Sequence, residues 1–239
     1  SALQHPQLAM RMCVAQVLGE MKIEQAVPQL ITLLKDDPES IGRNYAAMAL
    51  GEIADRRAVE PLIEALHNTS DQEARRTILN ALGKLRDPRA VASLIEVVQD
   101  GNPYTACFAV EALGEIGDSH AFEPILQVLE HWNTDKKKWV RSWAASALGR
   151  LDDDRAFEPL MNALHDQDPK VRIGSAYGLG FLGDTRAIPS LRHAYRNDQG
   201  IDDDTGDTVK GVARKSMSRI MDRYNAMLYQ RLGKHPSDF

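Results

Sequence analysis

One short segment recurs along the chain at nearly constant spacing, and this repeat restricts the possible folds more than any other feature. Each clear copy resembles the string ALGEIADRRAVEPLIEAL and contains a glycine at a fixed place, which we call the marker glycine. The marker glycines are Gly19, Gly51, Gly83, Gly114, Gly149 and Gly180, and Ser218 holds this place in a weaker seventh copy. Steps of 31 to 35 residues separate the six glycines, which is typical of proteins that stack one small structural unit.

Each copy is predicted to form two helices. Apolar residues recur at intervals of three and four before and after each marker, as on one face of a helix. Asn102-Pro103 and Asp168-Pro169 have the residue types that begin a first helix. A recurring Asp four residues after the marker is expected to cap the second helix. These residues are Asp55, Asp87, Asp118, Asp153, Asp184 and Asp222.

Two further features complete the predicted fold. A glycine inside a helix costs about 1 kcal/mol relative to alanine, so we expect the marker where the paired helix comes close. Pro61, Pro124 and Pro159 lie more than one turn past the recurring Asp, so the second helices are expected to bend or begin late. The repeat predicts an all-α protein, a right-handed α-solenoid of about seven helix pairs. One solenoid is expected over residues 1–229, followed by a C-terminal tail over 230–239.

Composition argues against several other classes of protein. The chain has 239 residues, and its 34 acidic and 29 basic side chains give a net charge of −5, which disfavours binding to nucleic acid phosphates. No apolar run reaches the roughly 18 residues of a membrane-spanning helix, so membrane insertion is not expected. The first residues do not resemble a secretory leader, and a cytoplasmic location is therefore expected.

The consensus of the copies resembles a known repeat. The string ALGxLxDxRAVxPLIxAL, with Val-Arg in the preceding helix at Val140-Arg141 and Val171-Arg172, is similar to the short HEAT-like repeat of the phycobilisome-lyase type. The resemblance covers residues 8–228 and implies that the helix pairs are HEAT-like. Proteins of this class include bilin lyase subunits, phycobilisome-degradation proteins and scaffolds without known chemistry. The resemblance therefore implies no catalytic residue.

The sequence offers no residue set that is typical of catalysis or of a metal site. Deoxyhypusine hydroxylase, a HEAT-like enzyme, takes its iron ligands from His-Glu dipeptides, and this chain contains none. Cys13 and Cys107 are too few for a four-ligand metal site, and their apolar neighbours predict buried, unreactive thiols. No catalytic residue, metal or cofactor is therefore predicted.

Glutamates recur on the polar face of the predicted second helices. They are Glu60, Glu64, Glu96, Glu123 and Glu158. In HEAT-like stacks the second helices line the concave surface, so the resemblance implies an acidic strip that binds a partner protein. The alternative is an ordinary solvated face, on which the glutamates pair with Arg57 and Arg155 at helical spacing.

A cation recurs eight residues before most markers, near the start of the first helices. This set, the cation row, comprises Arg11, Arg43, Arg75, Arg141, Arg172 and Lys210. The helix dipole disfavours a positive charge at this end. We therefore expect the recurring Asp of a neighbouring copy to pair with each cation, in a structural role rather than as an anion site.

The longest step between marker glycines contains the insertion HWNTDKKKW. All three tryptophans of the chain lie in or beside it, and two more aromatic residues lie in the preceding first helix. These candidate partner-binding residues are Tyr104, Phe108, Trp132, Trp139 and Trp143, and the insertion also holds Lys136, Lys137 and Lys138. Tryptophan is enriched at binding hot spots, which favours a partner-binding role for Trp132. For Trp139 and Trp143, a partner-binding role and a structural role, in which they fill a gap between copies, are equally well supported.

A second insertion, NDQGIDDDTGD at residues 197–207, is rich in aspartate. Asp202, Asp203, Asp204 and Asp207 do not follow the residue order of an EF-hand calcium loop. The insertion is therefore expected to be a mobile acidic loop.

Together these observations favour a non-catalytic scaffold or adaptor that presents an extended concave helical surface to a partner protein. The alternative, implied by the resemblance, is a bilin lyase subunit or another phycobilisome-associated factor that acts on phycobiliproteins. A bilin would then be the bound group, and only the region from Tyr104 to Trp143 offers both aromatic side chains and the cations that its propionates need.

Overall fold

The computed structural model describes residues 2–132 and 138–232, and most of this part of the chain is helical. The chain forms two compact units, Ser1–Ala121 and Phe122–Phe239. The helices of the first unit are α1 (Leu8–Glu20), α2 (Val27–Asp36), α3 (Ser40–Ile53), α4 (Val59–His67), α5 (Gln72–Leu85), α6 (Val91–Gln99) and α7 (Pro103–Ile116). Those of the second unit are α8 (Phe122–His131), α9 (Lys138–Arg150), α10 (Phe157–Ala163), α11 (Pro169–Leu182), α12 (Ile188–Asn197) and α13 (Val209–Leu232).

Within each unit the helices form two layers. In the first unit the first helices α1, α3, α5 and α7 pack on one another in chain order, and each second helix packs on the first helix that follows it. Helices α9, α11 and α13 form the same series in the second unit. The leucine before the marker is fully buried between the layers, as at Leu50, Leu82 and Leu148. Each unit thus has the α-solenoid architecture that the repeat predicts.

The marker glycines allow consecutive first helices to approach each other closely. A methyl carbon added to Gly51 would lie 2.8 Å from the Cα atom of Ala81 on the next first helix. A methyl group on Gly149 would collide with the backbone carbonyl of Gly178. In both cases the glycine faces the residue two positions before the next marker. The prediction that it faces its own paired second helix is therefore wrong, because the close contact lies between first helices.

The second helices begin late, as the prolines predict. The Asp55 carboxylate accepts a hydrogen bond of 2.8 Å from the backbone N–H of Arg57 and caps the short 3₁₀ turn Arg56–Ala58. The α-helix then starts at Val59, so Pro61 falls in its first turn, where an N–H has no partner within the helix. The same cap recurs at Asp87, Asp153 and Asp184.

The predicted caps of two first helices are also confirmed. Asn102 accepts a hydrogen bond from the backbone N–H of Tyr104 at the start of α7. Asp168 does the same for Lys170 at the start of α11. These short polar side chains satisfy N–H groups that the helix itself leaves unpaired.

The seventh copy contains one long helix instead of a helix pair within the residues that the structure describes. Helix α13 runs for 24 residues without interruption. Asp222 lies inside it, so the prediction that Asp222 caps a second helix is wrong. This copy has no proline or glycine after its marker position until residue 233, so nothing ends the helix there. Residues 233–239 of the predicted tail lie outside the described residues.

Replacing Gly149 with alanine is expected to destabilise the second unit by about 1–3 kcal/mol, the usual cost of forcing extra atoms into a packed core. The new methyl group meets the backbone of Gly178, which cannot rotate away. Gly83→Ala is the matched control, because its methyl group meets the flexible carboxylate of Glu115 and lies 3.1 Å from the Cα atom of Ala112. Urea unfolding followed by circular dichroism measures both variants, and equal losses would contradict the close-approach account.

Candidate functional site

The start of the second helices carries a row of arginines, each two residues after its capping Asp. The row comprises Arg57, Arg89, Arg155 and Arg186. The Nε atom of Arg57 donates to Asp55 at 3.0 Å, and its Nη2 atom donates to the carbonyl of Glu24, in the preceding copy, at 3.1 Å. Arg89 reaches the carbonyl of Arg56 at 3.0 Å in the same way. The capping Asp thus also orients an arginine that joins consecutive copies.

These contacts stabilise the charged form of the capping carboxylates. Side-chain hydrogen bonds from Arg57 and Arg155 lower the pKa of Asp55 and Asp153 from its ordinary value. In the copy of Gly114 a histidine replaces the arginine, and hydrogen bonds from the backbone N–H and the ring of His120 lower the pKa of Asp118. Each carboxylate therefore contributes to stability at neutral pH, and the contribution is lost as the pH falls through the lowered pKa.

The five predicted glutamates lie on exposed parts of the second helices, and most of them have a cation from another copy nearby. The Glu60 carboxylate lies 3.4 Å from Arg89, and that of Glu123 lies 3.4 Å from Arg155. Glu64 pairs with Lys35 at 2.5 Å, Glu96 lies 3.8 Å from His67, and Glu158 is exposed near Arg186. The predicted pairing at helical spacing is wrong, because the partners belong to neighbouring copies. Water screens such exposed pairs, so the glutamates remain accessible to a partner.

The cation row is structural, but the predicted partner is wrong. The Arg11 guanidinium donates to the Asp37 carboxylate, just past the end of α2, at 2.7 and 3.0 Å. Its Nη1 atom donates to the carbonyls of His5 and Pro6, before α1, at 2.9 and 3.1 Å. The capping Asp instead pairs with the arginine of its own turn, as Asp55 does with Arg57. The same link joins Arg75 to Asp100, Arg141 to Asp166 and Arg172 to Asp198.

The two remaining members of the cation row, Arg43 and Lys210, make contacts of other kinds. Arg43 donates to the backbone carbonyl of Asp37 at 2.6 Å. The Lys210 ammonium lies over the ring of Tyr195, 5.4 Å from its centroid. The other four members tie the starts of α1, α5, α9 and α11 to the end of the second helix of the same copy.

A cleft of about 550 Å³ lies beside one of these ion pairs, between Arg172, Asp198, His165 and His193. The Arg172 guanidinium donates twice to Asp198 and also to two backbone carbonyls. These contacts already use the donors that an anionic ligand would need, so we assign no ligand to this cleft.

The two aromatic residues of α7 form a small network with α5. The rings of Tyr104 and Phe108 meet edge to face, with their centroids 5.5 Å apart. The Tyr104 hydroxyl donates to the Glu73 carboxylate, which lowers the pKa of Glu73, and the Arg76 guanidinium lies 6.0 Å from the Phe108 centroid. Glu73 and Tyr104 both stand ten residues before their markers, a signal that could have predicted the pair.

The three tryptophans belong to the second unit. Trp132 follows α8, and Trp139 and Trp143 lie one turn apart on α9. Trp132 and Trp139 are partly buried, whereas Trp143 is 38% exposed. Lys136, Lys137 and the side chain of Lys138 lie outside the described residues. The tryptophans thus offer apolar surface on the segments that flank the insertion.

The acidic insertion is tied to α11 by polar contacts. The Lys170 ammonium lies 3.2 Å from Asp202 and also pairs with Asp204. The Tyr177 hydroxyl donates to Asp207 at 3.2 Å. The predicted mobile acidic loop is therefore a segment whose aspartates meet partners on the preceding first helix.

The two cysteines differ from each other. Cys107 is buried as predicted, and burial raises the pKa of its thiol to about 12, which makes it unreactive. Cys13 is exposed, so the prediction for Cys13 is wrong. It lies off the buried face of α1, which carries Arg11, Ala15 and Gly19.

Residues 2–132 and 138–232, which the structure describes, contain neither a cluster of metal ligands nor a membrane-spanning helix. No group of three or more His, Cys, Asp or Glu side chains in these ranges is placed to hold a metal ion. None of the helices described there is long and apolar enough to cross a membrane.

The fold and the repeat register define a class of protein. The family model for HEAT repeats matches residues 42–105, 92–162 and 123–218, and the chain therefore belongs to the HEAT-repeat family. No curated protein matches its sequence significantly.

Solved structures give more particular likenesses. The chain is similar to a chain in the complex of CpcE and CpcF of phycocyanin lyase from Nostoc, with 25% identity, 92% of each chain covered and a TM-score of 0.59. The YibA protein of Escherichia coli shares the fold at 18% identity, covering 92% of this chain and 90% of YibA, with a TM-score of 0.51. A designed armadillo repeat protein, solved with a (KR)4 peptide, shares it at 16% identity over 81% of this chain and 99% of its own, with a TM-score of 0.50.

Replacing Asp198 with alanine is expected to destabilise the second unit by about 2 kcal/mol, because its hydrogen bonds with charged Arg172 and with the Gly200 N–H are lost. Arg172 and Gly200 lower the pKa of Asp198 although burial opposes them. The difference from the wild type is therefore full above pH 4 or so, near the pKa of an unfolded Asp, and shrinks as the pH falls further.

The control for this variant is Asp203→Ala, which removes an exposed carboxylate from the same loop and should change stability by less than about 0.5 kcal/mol. Urea unfolding at neutral and acidic pH compares the two. A loss for Asp198→Ala that does not depend on pH would contradict the ion-pair account.

Proposed function

We propose that the chain is a non-catalytic scaffold that binds a partner protein through the exposed side of its second helices and through the tryptophans of the second unit. The observation that supports this most strongly is the repeated arrangement of a capping Asp with an exposed Arg and an exposed Glu. It recurs with Asp87, Arg89 and Glu60, and again with Asp153, Arg155 and Glu123. Within each unit, an arrangement of this kind offers a partner polypeptide similar contacts at successive copies.

The chemistry of this row suits a polar partner with some apolar side chains. The Arg155 guanidinium lies over the Phe122 ring at 4.1 Å, and that of Arg186 lies over Phe157 at 4.2 Å. These stacked arginines keep N–H groups at their exposed edges, and the glutamates beside them accept hydrogen bonds. A partner that alternates donors and acceptors is therefore expected.

The tryptophans would supply most of the binding energy. Buried aromatic anchors, tryptophan above all, dominate protein interfaces, whereas exposed ion pairs chiefly set specificity. Trp143 is 38% exposed and lies one turn from Trp139 on α9, so both can contact one partner side chain. Trp132, directly after α8, is proposed to bind the same partner.

A second candidate function is that of a phycocyanin-lyase-like subunit. It is supported by the 25% identity and the 92% coverage in both directions with a chain of the phycocyanin lyase complex. In this case the partner would be a second lyase subunit or a phycobiliprotein, and the aromatic residues would lie against a bilin.

Trp132→Ala is expected to weaken binding of the partner about thirtyfold, the loss typical of a hot-spot tryptophan, because its ring is removed from the interface. The melting temperature should change by less than about 2 °C. Affinity capture from native lysate identifies the partner, and titration of the purified partner then measures the affinity.

Met21→Ala is the matched control, because Met21 is 66% exposed just after the end of α1 and its loss removes an exposed apolar group. The control should retain the affinity of the wild type. A Trp132 variant that melts early yet binds normally would show a structural tryptophan and would remove it from the proposed interface.

Mixing the purified chain with a free open-chain bilin separates the two candidates. The scaffold proposal predicts no change in the visible absorption of the bilin, because no bilin site is part of it. The lyase-like candidate predicts a red or blue shift, and a weaker shift with Trp139→Ala. A shift that Trp139→Ala reduces would replace the scaffold proposal with the lyase-like one.

A further inference from the structure

The last helix has a charge opposite to that of the whole chain. Helix α13 contains six cationic side chains and one anionic side chain, a net charge of +5 in a chain whose net charge is −5. The cations, all exposed, are Lys210, Arg214, Lys215, Arg219, Arg223 and Arg231. Within the described part of the chain, Arg223 pairs with Asp152 at 3.0 Å, and the other five make no ion pair. The helix therefore presents positive charge that the second unit does not neutralise.

Two arginines stack on one phenylalanine at this helix. The guanidinium carbon of Arg150 lies 4.6 Å from the centroid of Phe181, and that of Arg219 lies 4.3 Å from it. We call these three residues the arginine clamp. Each directly follows a marker position, so the repeat itself brings them into one row on α9, α11 and α13. Since α9 and α13 both pack on α11, the two cations reach the ring from the helices that flank it.

The clamp has hydrogen-bond donors that nothing in the described structure uses. The Nε atom of Arg150 is shielded from solvent and finds no acceptor among the described residues. A cation–π contact engages the face of the guanidinium and leaves its N–H groups, which lie in its plane, without an acceptor. The unpartnered Nε donor of Arg150 and the two like charges around one ring are both unfavourable, and an anion beside the ring would reduce the repulsion between the charges.

A carboxylate fits this arrangement. Two planar guanidinium groups each offer a pair of parallel N–H donors to a carboxylate, and the edge of the aromatic ring between them is also weakly positive. Among the described residues, Arg150 and Arg219 form no ion pair, and Asp152 is paired with Arg223. A carboxylate from another molecule can therefore serve as the ligand.

The surroundings of the clamp favour a protein as that molecule. Beyond the last buried residue of α13, Ile220, the helix exposes apolar side chains next to its arginines. These are Met221, Tyr224, Met227 and Leu228, which are 40–47% exposed. Arginine, tyrosine and methionine are enriched at protein–protein interfaces.

We propose that the arginine clamp binds a carboxylate side chain of an acidic segment in a partner protein, and that the exposed apolar side chains of α13 pack beside it. This inference rests on the proposed function in one respect, that the ligand is a protein. In other respects it is independent, because the clamp shares no residue with the tryptophan surface. The clamp would give the chain a second, positively charged binding surface in addition to the negatively charged glutamates of the second helices.

The test uses the full chain and a short fluorescein-labelled peptide rich in glutamate and leucine, with fluorescence anisotropy at physiological ionic strength. Arg219→Gln and Arg150→Gln are each expected to weaken binding about tenfold or more, because each removes charge-assisted hydrogen bonds to a carboxylate. Arg219→Lys, which keeps the charge but not the planar pair of donors, is expected to lose an intermediate amount.

Arg214→Gln is the matched control, because it removes the same charge from the same helix on a different face and should weaken binding less than about twofold. Equal losses for Arg214→Gln and Arg219→Gln would overturn the proposal, because they indicate only general attraction between opposite charges. Binding of a lysine-and-leucine peptide with equal affinity would also overturn it. Melting curves of each variant verify that the fold is retained.

Two further measurements distinguish this inference from the proposed scaffold function and from binding to a lipid surface. Trp132→Ala should leave the affinity for the acidic peptide unchanged, so a failed peptide experiment does not affect the proposed scaffold function. Vesicles of phosphatidylcholine and phosphatidylserine test a lipid surface. Sedimentation with these vesicles that depends on Arg219, in the absence of peptide binding, would replace the protein partner with a membrane surface.

Discussion

The contact between consecutive first helices at the marker glycines determines the rest of the structure. At Gly51 and Gly149 the backbones approach so closely that a side chain on either glycine would meet main-chain atoms of the next first helix. This contact sets the distance from one copy to the next. Only at that distance can Arg57 reach the carbonyl of Glu24, and Arg89 that of Arg56. The exposed rows of side chains are a consequence of this backbone spacing.

The local features of the fold could be predicted from the sequence, because they depend on residues that are close along the chain. Caps such as Asp55 and the late start of α4 before Pro61 are of this kind. Partners that are far apart along the chain could not be predicted in the same way. The cation row pairs with aspartates 25 or 26 residues further on, as Arg11 does with Asp37, because the ends of two antiparallel helices meet there. Helical spacing alone contains no information about that meeting point.

The candidate site likewise combines features that could be predicted from the sequence with contacts that could not. The periodic pattern correctly placed the glutamates of the second helices on the exposed side, but the cations near them come from the adjacent copy, as Arg89 does for Glu60. The contact between Glu73 and Tyr104 was missed, although both residues stand ten positions before their markers. Comparing equivalent positions of successive copies, rather than positions within one helix, reveals such pairs. The row of Arg150, Phe181 and Arg219 follows from the same comparison.

The central claim is that exposed side chains of this HEAT-repeat chain, rather than a reactive group, perform its function. Hydroxyl-radical footprinting of the chain with and without its purified partner tests this most directly, because it reports the exposure of individual side chains. The account predicts that oxidation of Trp132, Trp139 and Trp143 falls in the complex. Oxidation of Met10, exposed on α1, and of Met21, exposed just after α1, does not change. Unchanged oxidation of all three tryptophans in a saturated complex would contradict it.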